Sequence, residues 1–290
     1  MLIERARLRA FPKVFIETAG IAPMIFRNFG FKIGSIKLHR ILFRDVAYRQ
    51  YDFKGELSSQ RNGLRLLLEQ IGDHSISLER WIELEFAHTA KVEDINQLQH
   101  SLNSFGSDKG DDLRKLYLLY ANILRTLKGQ REQVRLLEIG LGTNNVDIES
   151  NMGIFGSPGA SLRAFRKFLR PQDVVFGADV DVRVLFQEDG IFTYFVDQLK
   201  PETLSSIANE IGSADLIIDD GLHILESNMN TVFALLPILS KGGYFVVEDV
   251  SDLPENVVAW DTFSVYLTGL GFEAATLVRC SGSLIFVIKK

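Results

Sequence analysis

The chain predicts an α/β fold built on a seven-stranded, mostly parallel sheet. Three observations point to it: short apolar runs that end in carboxylates, helical periodicity between them, and a hairpin-length connection near the C-terminus. Strands are expected at about 135–140, 173–179, 191–197, 214–219 and 243–248, with helices between them, notably 160–169 and 225–239. A further helix near 257–269 precedes two apolar runs, 274–279 and 284–288, joined by Cys280-Ser281-Gly282-Ser283. That short connection makes the last strand antiparallel to its neighbour.

Ahead of this domain, placed at 101–290, residues 1–100 form a mainly helical accessory segment. Leu64, Leu67, Leu68 and Ile71 recur at helical spacing, and Trp81, Leu84 and Phe86 follow the Gly72-Asp73 break. Residues 1–54 hold 11 Lys/Arg against 4 Asp/Glu, a balance of +7, which leaves −12 for residues 55–290 out of a total of −5. Basic side chains interleaved with Phe26, Phe29 and Phe31 suit peripheral contact with a membrane surface or an acidic partner. Segments of this kind more often pack on their own domain or on a sister subunit, so a lid or the interface of a homo-oligomer is expected.

With 46% hydrophobic and 24% charged residues, the composition is that of an ordinary globular protein. The single cysteine, Cys280, excludes an intramolecular disulfide framework and agrees with a cytoplasmic location. No run of 18 uncharged apolar residues predicts a spanning helix. Glu17 and Pro23 interrupt the apolar stretch after Arg5, Arg7 and Arg9, so a cleavable leader is not expected.

The chemistry concentrates where apolar runs meet acids. Leu216-Ile217-Ile218-Asp219-Asp220-Gly221-Leu222-His223 and Phe245-Val246-Val247-Glu248-Asp249 each read as a buried parallel strand ending in carboxylates. Ligands of open α/β sheets bind outside the carboxyl ends of the strands, so Asp219, Asp220, Glu248 and Asp249 are expected at one pocket. Crowded carboxylates either raise their pKa values or share a divalent cation, and oxygen ligands suit Mg²⁺ or Ca²⁺. His223, the sole histidine after residue 100, is the base candidate. Singly, each has a plainer use: Asp219-Asp220 as a helix cap, His223 in a core, Glu248-Asp249 in a solvated turn. Their joint arrangement favours a site.

A nucleotide end is also legible. Leu137-Glu138-Ile139-Gly140-Leu141-Gly142 runs from a buried strand into a glycine turn that lets backbone approach a ligand. Asn145 stands where a dinucleotide fingerprint needs a third glycine, which argues against NAD. Asp179 ends the next apolar run, where a carboxylate can accept both hydroxyls of a ribose, with Asp181 as its competitor. Asp197 and Gln198 end the third strand and suit an adenine edge.

These residues, together with Gly106-Ser107-Asp108-Lys109-Gly110, Gly159-Ala160-Ser161-Leu162-Arg163 and Gly242-Gly243-Tyr244, resemble the class I S-adenosylmethionine-dependent methyltransferases of Rossmann-like fold. The resemblance covers about residues 104–290 and is nearest the Mg-dependent macrolide-sugar O-methyltransferases of the mycinamicin and tylosin type, and related enzymes of bacterial polysaccharide pathways. It implies S-adenosylmethionine contacts at Glu138, Gly140, Gly142, Asp179, Asp197, Gln198 and Asp219, and a loop at Ser107 to Lys109 that closes over the cofactor. It further implies Mg²⁺ at Asp220, Glu248 and Asp249, with Asp220 and His223 catalytic and His223 taking the proton of a sugar hydroxyl. The connection 145–158 is longer than the family's usual one.

The expected function is therefore an Mg-dependent O-methyltransferase acting on a sugar or glycosylated small molecule, in natural-product or polysaccharide biosynthesis. A catechol acceptor offers the same two adjacent oxygens. A hydroxylase on this fold would want two histidines for Fe(II), and one is available. A non-catalytic cofactor-binding protein is the third reading. The acidic catalytic half argues against nucleic acid as substrate.

Overall fold

The computed structural model describes residues 75–86 and 89–290. The expectations for residues 1–74, including membrane contact, lie outside the described residues. Among the described residues, those from 75 to 253 and from 260 to 290 belong to one compact unit.

In chain order the elements are β1 (Ile76–Ser77), α1 (Leu78–Phe86), α2 (Val92–Phe105), α3 (Leu116–Gln130), β2 (Arg135–Ile139), α4 (Ala160–Phe168), β3 (Val174–Asp179), β4 (Gln187–Glu188), β5 (Ile191–Phe195), α5 (Pro201–Ile211), β6 (Ala214–Asp219), α6 (Leu225–Leu235), β7 (Leu239–Val250), α7 (Pro254–Gly269), β8 (Ala274–Cys280) and β9 (Ser283–Lys289). They form one sheet in the order β1-β8-β9-β7-β6-β2-β3-β5-β4. The five central strands β7, β6, β2, β3 and β5 run parallel, and β9 lies antiparallel between β7 and β8. The sheet thus has nine strands among the described residues rather than the seven expected. The extra two are the edge strands β1 and β4, each of two residues, too short to leave a pattern in the sequence.

Parallel strands are covered on both faces, and period-2 alternation decides which side chain goes where. Leu136, Leu216, Ile218, Tyr244 and Val246 share one core with helices α1 to α4. Their neighbours Leu137, Ile217, Phe245 and Val247 are equally buried on the opposite face. Leu78, Trp81 and Phe86 of α1, and Leu98 of α2, belong to the first core, so the described part of the accessory segment packs on the sheet. On the C-terminal hairpin Trp260 stacks at 4.6 Å on Phe286, with Phe263 beside it.

At the centre of the sheet β2 ends in the glycine turn. Gly140 has φ +95, and a Cβ there would lie 2.1 Å from the carbonyl oxygen of Asp220, so only glycine lets the two loops pass. No helix among the described residues is long and apolar enough to cross a membrane.

The β8–β9 turn carries removable strain. Ser281 adopts φ +51 at the first position of a two-residue hairpin loop, where glycine is the favoured residue. Ser281→Gly is expected to raise the unfolding free energy by about 0.5 kcal/mol, read from denaturant titration. An equal or lower midpoint would show that the turn is relaxed with serine.

Candidate active site

Alternation on the strands sorts the acids. Glu138 lies two residues beyond Leu136 and Glu248 two beyond Val246, so both point toward the helices α1 to α4 and are fully buried. There Ser161 on α4 donates to Glu138 Oε2 at 2.5 Å, and the Tyr120 hydroxyl on α3 donates to Glu248 Oε1. Asp219 shares the parity of Ile217 and points to the other face. Asn228 on α6 donates to one of its oxygens at 3.0 Å and the Gln198 amide to the other at 2.7 Å.

Between the first two acids sits Lys109, only 1% exposed. Its Nζ lies 3.3 Å from Glu138, 3.0 Å from Glu248 and in direct contact with Asp220. It arrives on a single 3₁₀ turn, Asp108–Gly110, that follows the left-handed C-cap Gly106 of α2, with the Ser107 hydroxyl accepting from the Lys109 backbone N–H at 3.4 Å. Burial alone would lower the lysine pKa, but the surrounding carboxylates raise it well above its ordinary value. Arg114 forms the outer cation: Nη1 bonds Asp108 at 2.5 Å, and Nη2 contacts Asp249 and lies 4.0 Å from Glu248.

At the mouth of this cluster, Asp220, His223 and Asp249 offer ligand atoms within 4.8 Å of one another, an arrangement able to hold a metal ion. Local backbone places two of them. The β7–β9 register puts Glu248 and Asp249 opposite Ile285 alone, a bulge at which Asp249 adopts φ +47 and leaves the strand plane. His223 adopts φ +58, with Nε2 3.8 Å from Asp220 Oδ1. Its Nδ1 and the Oε2 of Glu248 are buried atoms without a hydrogen-bond partner among the described residues. Lys109 engages Oδ2 of Asp220 and Arg114 engages Oδ1 of Asp249, so each carboxylate keeps an oxygen for a ligand.

A cleft of about 270 Å³ adjoins the mouth, lined by Gly140, Gly142, Asp179, Asp197, Gln198 and Asp220 among the expected residues. Asp179 is oriented by the glycine turn itself: the N–H groups of Leu141 and Gly142 donate to Oδ2 at 2.8 and 3.2 Å, and that of Asp181 to Oδ1 at 2.8 Å. Gln198 lines the cleft, and its side chain donates to Asp219 and Thr231 and accepts from the Leu222 N–H. Glu138, Asp219, Ser107 and Lys109, expected as cofactor contacts, do not line the cleft. Glu138 and Asp219 are held by partners inside the fold, Ser107 caps the turn that carries Lys109, and Lys109 lies among the acids. Tyr120, Arg114 and Asn228 carry no motif that would have marked them. Strand parity is the one signal that bears on them, since alternation alone puts Asp219 on the face opposite Glu138 and Glu248 and so calls for separate partners on the two faces.

Burial pushes Asp219 up to about 6, Glu138 to about 7 and Glu248 to about 8. A carboxyl raised in the folded state stabilises fully below its unfolded value near 4.5, and that contribution is lost as pH climbs through the folded value. The metal-free protein should therefore lose thermal stability between about pH 5 and pH 8. Glu248→Gln, uncharged throughout, should flatten the slope and melt higher than wild type at pH 8. Parallel melting curves for the two proteins would contradict a proton held at Glu248.

No model of a known protein family matches the chain. It is similar to the mycinamicin VI 2''-O-methyltransferase of Micromonospora griseorubida, 28% identical over 223 residues, covering 77% of this chain and 49% of that protein. The L-olivosyl-oleandolide 3-O-methyltransferase of Streptomyces antibioticus is 34% identical over 149 residues, 51% of this chain and 33% of the relative. The chain thus spans half or less of the curated relatives it matches. Among solved structures, a methyltransferase from the mycinamicin biosynthetic pathway in complex with Mg and SAH aligns with TM-score 0.54 and 25% identity, covering 67% of this chain and 54% of that one. A second structure of it, with Mg, SAH and mycinamicin VI, gives 0.53. The chain accordingly has the class I S-adenosylmethionine-dependent methyltransferase fold, and its homologues are sugar O-methyltransferases of macrolide and polyketide pathways.

Proposed function

We propose that this chain is an S-adenosylmethionine-dependent, Mg²⁺-dependent O-methyltransferase that methylates a hydroxyl of a sugar or glycosylated small molecule. The observation that carries the proposal is the joining of two sites at Asp220, which lines the cleft and also belongs to the acid–histidine cluster at its mouth. A methyl donor in the first and a hydroxyl in the second would be neighbours, and alignment of donor and acceptor is the main task in a methyl transfer.

Asp179 is the ribose acid of the proposal. Two N–H groups of the glycine turn and that of Asp181 occupy three of its acceptor positions and fix its plane, leaving one directed for a hydroxyl hydrogen. Asp197 lies at the β5 end of the same cleft, where the adenine edge is expected.

The donor set at the mouth fits a hard divalent cation: Asp220 and Asp249 with one free oxygen each, and the unpartnered Oε2 of Glu248 behind them. When bound, Mg²⁺ would supply the Lewis acidity that lowers the pKa of an otherwise poorly nucleophilic sugar hydroxyl. His223 then accepts the hydroxyl proton at Nε2. Its positive φ holds the ring at the mouth beside Asp220. Lys109 and Arg114 hold Asp220 and Asp249 in place and offset their negative charge.

The acceptor class follows the homologues, which methylate sugar hydroxyls on macrolide and polyketide products. Residues 1–100 are proposed to be an accessory segment completing a lid or a homo-oligomer interface. Truncation at about residue 95 would strip Leu78, Trp81 and Phe86 from the core, so a test of that role must stop before Ser75.

Calorimetric titration of S-adenosylhomocysteine, with Mg²⁺ and with chelator, tests the assignment. Wild type should bind, and Asp179→Ala should weaken binding by at least about thirtyfold, roughly 2 kcal/mol for a lost charged hydrogen-bond acceptor. Absence of binding to wild type under either condition would end the methyltransferase reading. His223→Gln should lower kcat by about 10²- to 10⁴-fold while leaving the S-adenosylhomocysteine affinity in place. A near-normal kcat would give the proton to another group.

A further inference from the structure

We propose that residues 145–156 form a fixed strap over the adenosine end of the cleft, and that Asp181 is the positioning residue that holds it there. The inference rests on the reading of the cleft as the S-adenosylmethionine site and adds a wall that the fold's motifs do not supply.

Four consecutive residues of the β2–α4 connection, Asp147, Ile148, Glu149 and Ser150, line the cleft together with Asp179 and Val180 at the end of β3. The connection is tied down by side chains at both its base and its tip. Thr143 Oγ1 and Asn145 Nδ2 both donate to Asp181 Oδ2, at 2.6 and 2.7 Å. Arg183 bonds Asp181 Oδ1 at 2.6 Å and reaches on to Asp147 at 3.0 Å. Asn144 Nδ2 donates to the carbonyls of Gly153 and Gly156, at 2.8 and 2.9 Å, which draws the far arm of the loop back to its start. Met152 then lies against the glycine turn, where a Cβ on Gly142 would come within 2.3 Å of its sulfur.

These contacts give Asp181 a use of its own. It stands two residues after Asp179 and is equally buried, yet it is absent from the cleft lining while Asp179 is present. The bonds from Arg183, Thr143 and Asn145 hold its carboxyl far below the usual carboxylate range, so it is a permanent anion. That anion faces the strap. Ile148, half-buried at the cleft, is then the apolar surface offered to the adenosine, and its carbonyl is fixed by Asn151 Nδ2 at 2.8 Å. A wall fixed before the ligand arrives lowers the ordering cost of binding.

Asp181→Ala tests this by calorimetry with S-adenosylhomocysteine, steady-state kinetics and amide hydrogen exchange. Kd and the S-adenosylmethionine KM should rise about tenfold, with kcat at saturating cofactor and the acceptor KM within about twofold. Amides of residues 145–152 should exchange faster in the variant and be protected by S-adenosylhomocysteine in wild type. A folded Asp181→Ala with wild-type affinity, or with affinity lost but strap exchange unaltered, overturns the proposal. Should Asp181→Ala not fold, Arg183→Met removes the exposed link to Asp147 together with the guanidinium bonds to Asp181 while leaving those from Thr143 and Asn145, and about a threefold rise in the same constants is expected. Wild-type constants and exchange in Arg183→Met would overturn the strap. If wild type binds no S-adenosylhomocysteine, the cofactor reading fails and takes this inference with it. If wild type binds and the variants match it, the strap alone fails.

Discussion

Burying a carboxylate in a protein interior costs several kcal/mol unless a counter-charge and hydrogen bonds come with it, and removing one partner of such a pair typically costs about 3–5 kcal/mol. Two fully buried acids, Glu138 and Glu248, stand at the C-terminal ends of β2 and β7, with Asp220 beside them, and a single buried ammonium, Lys109, meets all three. The structure around the site is arranged to deliver that one cation. Gly106 ends α2, the 3₁₀ turn carries Lys109 to the C-terminal ends of the central strands, and α3 leaves with Tyr120 aimed at Glu248. The balance of charge stays acidic even so, which leaves the cluster attractive to a further cation at its open side.

The outward side is built by strain as well as by pairing. Asp249 and His223 both sit in the left-handed region, which residues with a Cβ adopt at a cost of roughly 1–3 kcal/mol, and both belong to the cluster able to hold a metal. A regular β7 would have alternated Asp249 to the face opposite Glu248. The bulge instead turns it toward Asp220. In the same way Gly140 lets the β2 and β6 loops touch, and that approach brings the cleft and the acid cluster into contact through Asp220.

Two acids that look equivalent at each strand end therefore have divided roles. At β6, Asp219 faces inward to Gln198 and Asn228 and shapes the turn, whereas Asp220 faces the mouth. At the end of β3, Asp179 faces the cleft and Asp181 ties down the following connection. Each pair combines one acid that faces the cleft or its mouth with another that fixes the neighbouring loop.

The order of residues was enough to settle the parallel core of the fold, the C-terminal hairpin and the neighbourhood of the site. Apolar runs broken by Asp-Asp and Glu-Asp are buried strands with acids at their ends, and a four-residue connection between two apolar runs leaves a chain no room but to turn back. The two-residue edge strands escaped because so few residues make no period. Two outcomes waited on the assembled fold: which acid of each pair faces the cleft or its mouth, and that Lys109 is a buried counter-ion. They depend on side-chain direction at bulges and positive-φ turns, and on a lysine 29 residues from Glu138 and 139 from Glu248 being folded between them. Local patterns encode how much of a strand is buried. They do not encode which distant charge will arrive to make that burial tolerable.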